Sequence, residues 1–315
     1  MKLLSTKNKS FDKILDKLLD ARRKKLKLNS SSIIKIINDV KKNKDKAVLK
    51  YEKKFNKNKI ITPRSKQISK SINSLDKKIK KAIDLAYNRI FKFNSLQKFE
   101  NISYIDKFKN KLEYRFIPIN SVAIYVPGST VSYPSTVLMN AIPAIVAGVK
   151  RIVMINPSYK GKQNSAVLYA ARKCKIKEIY SIGGPSSIAA LAYGTEKIIK
   201  VDKIVGPGNV YVAAAKREVS GDIGIEGMTA GPSEVTIVCD KYSNPEWIAS
   251  DLIAQAEHDV NAQCILISKD KRLIKKVKIE VLNQLKGISR ESVAKKSLIK
   301  NGMFIYISSD KKIIE

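Results

Sequence analysis

From Pro118 onward the sequence alternates, at short intervals, between compact apolar runs and amphipathic stretches, and few folds accept that rhythm. SVAIYV (121–126), RIVMI (151–155), EIYSI (178–182), KIV (203–205), VTIVC (235–239), QCILIS (263–268) and MFIYI (303–307) read as strands. Between them TVLMNAIPAIVAG (136–148), NSAVLYAARKC (164–174), SSIAALAYG, NVYVAAAKREV, PEWIASDLIAQAEH and a lysine-rich segment read as helices. Strands alternating with helices predict βαβ units, a mostly parallel sheet and right-handed crossovers. Before Pro118 the periodicity is helical. Ile14, Leu15, Leu18 and Leu19, then Ile33, Ile36, Ile37 and Val40, mark residues 11–55, and Leu75, Ile79, Ile83, Ala86 and Ile90 mark 72–100. A chain of 315 residues has room for about two such domains.

Glycine and proline fall at the strand ends: PGSTVSYP after SVAIYV, GGPSS after EIYSI and GPGN after KIV. In an open α/β sheet, ligands bind outside the carboxyl ends of the strands, so these loops are expected to line one small-molecule site. GGPSS and GPGN also put glycines just before helices, where free N–H groups attract phosphate. Neither is a dinucleotide fingerprint or a P-loop, and such loops more often serve turn geometry.

The net charge of +33 raises the question of nucleic acid. Its distribution answers against specific recognition. Residues 116–265 hold only 14 of the 61 Lys and Arg and 12 of the 28 Asp and Glu, so almost all the excess lies in the flanks. There, lysine dominates while arginine and interleaved aromatics are scarce, unlike a base-reading or base-stacking surface. Nonspecific, salt-sensitive adhesion to polyanions is the expectation. No run approaches a membrane span, and MKLLSTKNKS lacks the apolar centre of a signal peptide. Cys174, Cys239 and Cys264 share no metal-type spacing and cannot all pair, which fits a reducing cytoplasm.

The only histidine, His258, ends PEWIASDLIAQAEH, three residues after Gln255 and so on the same helical face. Asn244 is a fitting cap, Pro245 suits the first helical position and Glu246 opposes the helix dipole. Imidazole is a good zinc ligand and an amide oxygen an uncommon one, yet a zinc site needs three or four ligands. Alone, the pair reads more simply as a helix end. In AGPSEV (230–235), Ser233 sits between a Gly–Pro turn and a strand, where it can bind a ligand or merely fix the turn. No GxSxG elbow surrounds it.

Taken together, YVPGSTVSYPSTVLMNAIPAIVAGVKRIVM (125–154), IGGPSSIAALAYGTE (182–196), KVDKIVGPGNVYVAAAK (200–216), AGPSEV (230–235) and SDLIAQAEHD (250–259) resemble histidinol dehydrogenase in order and spacing. The likeness is dense over about residues 116–268. It implies a zinc-containing, NAD-dependent cytoplasmic homodimer that oxidises L-histidinol through L-histidinaldehyde to L-histidine. By the same resemblance Gln255 and His258 match zinc ligands that also touch substrate, Ser233 a substrate contact, and Tyr125 and Asn209 NAD contacts. Ser186 stands where the family places an NAD-contacting glutamine, and its shorter hydroxyl cannot span the same gap. Gly227, in EGM (226–228), looks like an insertion beside the usual pattern.

The resemblance also implies two incomplete Rossmann-like domains: 116–232 as a central unit with the NAD loops, and 25–115 plus 233–315 as a discontinuous unit with the zinc-ligand helix. Residues 1–24 would form a helical arm. A C-terminal dimerisation domain, the catalytic Glu–His pair and two further zinc ligands would lie beyond Glu315. The chain by itself is therefore expected not to turn over histidinol. The rival expectations are an inactive homologue or fragment completed by another polypeptide and, further off, a basic nucleic-acid-binding protein.

Overall fold

The computed structural model describes residues 1–25, 31–128, 133–158, 161–227 and 233–314. Its elements run β1 (Lys2–Ser5), α1 (Phe11–Lys25), α2 (Ser31–Asn56), α3 (Ser65–Asn73), α4 (Lys77–Ser95), β2 (Ile102–Ile105), β3 (Lys111–Tyr114), β4 (Ser121–Tyr125), α5 (Pro134–Ala147), β5 (Arg151–Ile155) and α6 (Ser165–Lys173). They continue with β6 (Glu178–Tyr180), α7 (Gly184–Tyr193), β7 (Lys203–Val205), α8 (Val210–Val219), β8 (Gly224–Ile225), β9 (Glu234–Cys239), α9 (Pro245–Ala256), β10 (Gln263–Ser268), α10 (Lys271–Gln284), α11 (Glu291–Asn301), β11 (Met303–Tyr306) and α12 (Lys311–Ile314).

Residues 28–230 form one compact unit. Its five-stranded sheet is parallel throughout, in the order β6-β5-β4-β7-β8. Chain order thus runs outward from β4 in both directions, a doubly wound arrangement whose switch point lies between β4 and β7. Alternation along β4 feeds both faces. Ala123 and Tyr125 pack with α2, α7 and α8, while Ile124 packs with α3, α4, α5 and α6. The helix over 31–56 is interrupted at Lys44, which has φ 46°. Its buried residues Ile33, Ile37, Val40, Ala47 and Val48 belong to the first of these cores. Residues 28–115 therefore pack in this unit, not with 233–315 as the resemblance implied. An antiparallel hairpin, β2 with β3, also lies in it, and all eight strand residues are exposed.

Residues 1–27 and 231–315 form the second unit, around a parallel sheet in the order β1-β11-β10-β9. α9, α10 and α11 cover one face through Leu252, Leu273, Val277 and Leu298. Phe11, Leu15 and Leu18 of α1 cover the other, against Met303, Ile305 and Ile307. Residues 1–24 are thus no free arm. They supply an edge strand, in register Lys2 opposite Met303, and a covering helix. The predicted strands and helices from 118 onward are all present. No described helix is long and apolar enough to cross a membrane.

Candidate functional site

Tyr125, the last residue of β4, stands at the carboxyl edge of the five-stranded sheet, beside the switch point. It is buried, and its phenol oxygen accepts the Gly184 N–H at 3.2 Å. Burial pushes the phenol up to about 12, so the hydroxyl keeps its proton and remains a donor. The same glycine loop is held from below by Glu52 of α2, a fully buried carboxyl that accepts the Gly183 N–H at 2.7 Å and the Asn56 amide at 2.9 Å. Burial raises the Glu52 carboxyl above its ordinary value, while the bonds from Asn56, Gly183 and Asn58 pull it partly back.

These bonds change the reading of the loop before α7. The Gly183 and Gly184 N–H groups, which sequence marks as open to phosphate, already have partners in Glu52 and Tyr125. Ser186 is buried, and its hydroxyl donates to the Gly183 carbonyl at 3.2 Å. It closes its own loop. At α8 the exposed Asn209 caps the helix, its Oδ1 accepting from Tyr211 N at 3.1 Å and Val212 N at 3.0 Å. Its Nδ2 donors have no partner among the described residues. Tyr125, Ser186 and Asn209 therefore share the carboxyl edge of one sheet, with Asn209 the exposed member of the three.

Ser233, Gln255 and His258 belong to the other unit, at the amino ends of β9 and β10. The exposed Ser233 precedes β9, and its carbonyl accepts the Gln263 N–H at 3.2 Å. Asn244 caps α9 as expected, accepting from Glu246 N at 2.8 Å. The helix ends at Ala256, two residues before the expected His258. One further bond, His258 N to Gln255 O at 3.3 Å, keeps the two residues in a common turn. Arg290 fixes that turn: its Nε donates to the Glu257 carbonyl at 2.7 Å and its Nη2 to the His258 carbonyl at 3.3 Å. A guanidinium at a helix carboxyl end also meets the dipole favourably. Sequence offered no sign of this partner 32 residues away.

Whether the pair suits zinc can be tested on Gln255. Its Nε2 is buried without a hydrogen-bond partner, a state that ordinarily costs about 1–3 kcal/mol. The two ends of an amide group are nearly the same in size and shape, so a half-turn of the side chain puts Oε1 in the unpartnered position. A cation would satisfy that oxygen. With the exposed His258 imidazole, the donor types fit a zinc ion and fill two of its four positions. Among the described residues no group of three or more His, Cys, Asp or Glu gathers at a metal-holding distance.

Comparison with known proteins bears on the whole chain. The family model for histidinol dehydrogenase matches residues 20–315. A histidinol dehydrogenase of Pelagibacter ubique is 74% identical over 314 residues, covering 100% of this chain and 73% of the relative. One from Agrobacterium fabrum is 46% identical, covering 88% of this chain and 65% of its own length. The crystal structure of histidinol dehydrogenase from Elizabethkingia anophelis superposes with a TM-score of 0.88 at 35% identity, covering 100% of this chain and 72% of that one.

Proposed function

The chain belongs to the histidinol dehydrogenase family, and from that premise we propose that it serves the NAD-dependent oxidation of L-histidinol, through L-histidinaldehyde, to L-histidine. The observation that carries this reading is 74% identity to a histidinol dehydrogenase along the full length of the chain. The doubly wound sheet supports the cofactor half of it, because Tyr125 and Asn209 stand at the edge where such sheets take dinucleotides. On this reading the Tyr125 hydroxyl and the Asn209 amide orient NAD, and Ser186 shapes the loop beneath it. NAD bound there would supply the hydride acceptor.

Gln255 and His258 are the proposed zinc ligands, and Ser233 contributes a hydroxyl to the substrate. Gln255 and His258 would hold the ion, and zinc bound there would supply a Lewis acid for orienting the substrate. The turn that Arg290 ties down holds Gln255 and His258 in one backbone turn, which is the part of orientation this chain supplies. Assembly as a homodimer and residence in the cytoplasm complete the proposal. The exposed β2–β3 hairpin supports the first. The second is supported by Cys174, Cys239 and Cys264, none of which is in a disulfide.

The test uses the full-length protein with histidinol and NAD, alongside its His258→Asn variant. Expected are histidinol-dependent NADH formation in the wild type and loss of both bound zinc and activity in the variant, with an unchanged melting temperature. Stoichiometric zinc and activity in His258→Asn would overturn the ligand assignment. Absence of NADH formation by the wild type would overturn the reaction.

A further inference from the structure

Lys216 is fully buried. A buried ammonium is costly unless its charge is satisfied, yet among the described residues no carboxylate hydrogen-bonds to it. The nearest candidate, Glu226, pairs its carboxylate with Lys203 at 2.9 Å. Lys216 instead donates to two backbone carbonyls, Gly206 O at 2.6 Å and Glu226 O at 2.9 Å. Desolvation accordingly lowers its pKa to about 8. Such an arrangement is retained against a free-energy cost, so what it holds is the question.

It holds the loop that ends in Asn209. Lys216 lies seven residues after Asn209 on α8, hence on the same face, and its side chain runs back toward the helix start as helical side chains do. Between β7 and Asn209 the chain reads Gly206–Pro207–Gly208, a segment with two glycines and little side-chain packing of its own. Gly206 has φ +95°, and an added Cβ there would lie 2.5 Å from the Tyr125 carbonyl oxygen. The loop is thus laid directly on the Tyr125 backbone, and glycine gives it the greatest freedom to leave. The Lys216 ammonium is the polar tie that stops it.

The same ammonium gathers the end of β8. Gly227, the apparent insertion, has φ +72°, and an added Cβ would stand 3.0 Å from Gly206 O and 3.5 Å from Lys216 Nζ. A side chain there would crowd both the lysine and the carbonyl it holds. Glycine at 227 is fitted to the clamp, not merely tolerated in a loop.

We propose that Lys216 is a positioning residue for the cofactor, binding the ends of β7 and β8 together so that Asn209 is held beside Tyr125 at the switch point. This rests on the reading of Tyr125 and Asn209 as NAD contacts. A lysine that served stability alone would change the fraction folded without changing the affinity of the folded protein.

The experiment measures NAD binding by calorimetry and amide hydrogen exchange over 204–212 in the full-length protein, for wild type, Lys216→Met and Lys216→Gln. Met keeps the length and removes the donors, whereas Gln keeps a shorter donor. Expected for Lys216→Met is a rise in Kd for NAD of about 10-fold or more, with faster exchange in the loop and the KM for histidinol within about twofold of wild type. Lys216→Gln should fall between the two. Unchanged NAD affinity in folded Lys216→Met overturns the proposal, as does failure of both variants to fold, which would make Lys216 a folding residue. A wild type that does not bind NAD overturns instead the cofactor reading, and the exchange data still show whether the lysine holds the loop.

Discussion

Glu52 places a carboxyl where no water reaches it, beneath the glycine loop that meets Tyr125. Its pKa is raised chiefly by burial, so the folded protein holds the proton more tightly than the unfolded chain does. The stability linked to this group is therefore fully present below the unfolded glutamate value of about 4.3 and is lost as pH rises through the higher folded value. Glu52→Gln removes the titration while keeping an oxygen for the Gly183 N–H. Paired thermal melts should show the variant gaining on the wild type between pH of about 4 and about 7. A variant that holds level with or loses ground to the wild type over that range would mean that the Asn56 and Gly183 bonds outweigh desolvation. In sequence, Glu52 sits in a run of lysines and looks like one more solvated charge. Nothing local distinguishes it, because its partner Gly183 is 131 residues away.

At the scale of elements, local patterns carried far in the α/β region and failed where pairing is remote. The strands and helices after Pro118 are short-range objects, and their apolar runs, caps and glycines are all legible. β1 is different: KLLS becomes a strand only because β11 offers it an edge, opposite residues three hundred positions on. The β2–β3 hairpin carries a local signal of its own. KLEY alternates polar and apolar residues, and ISYI does so up to Tyr104, about a turn in which Asp106 accepts from Phe108 N and Asn110 N, with Lys109 at φ 67°. The Arg290 brace on the His258 turn was hidden for the same reason as β1. Because α1 and β1 cover the face formed by Met303, Ile305 and Ile307, removing residues 1–25 should expose it. Leu4, Phe11, Leu15 and Leu18 are partly buried, and at about 1 kcal/mol each their loss should lower the Tm by more than roughly 10 °C. The truncated protein should also bind the dye ANS. A truncation that melts like wild type and stays dark would show that this segment is only laid on the sheet.

At the scale of the molecule, one surface stands apart from the lysine-rich remainder. Ile102, Tyr104 and Ile105, with Leu112 and Tyr114 across the hairpin, are all exposed, and Phe108 at the turn is 73% exposed. Phe99 and Phe116 stack at 4.8 Å, with Tyr114 edge-on to Phe116 at 4.9 Å, so the patch is ordered by aromatic contact although it faces outward. A two-stranded hairpin is marginal in water by itself, and apolar areas of this kind mark interaction surfaces. Lys107, Lys109 and Lys111 lie in the hairpin as well, so it is the exposed apolar and aromatic side chains that make this patch a place for a homodimer contact. The double change Ile105→Asp with Phe108→Asp places like charges in that contact while leaving both cores untouched. Sedimentation should then show a dimer for the wild type and a monomer for the variant, with the Kd of association raised by at least about 100-fold. A variant that remains dimeric at the same protein concentration would move the interface elsewhere on the molecule. A wild type that is monomeric would remove the homodimer from the proposed function altogether.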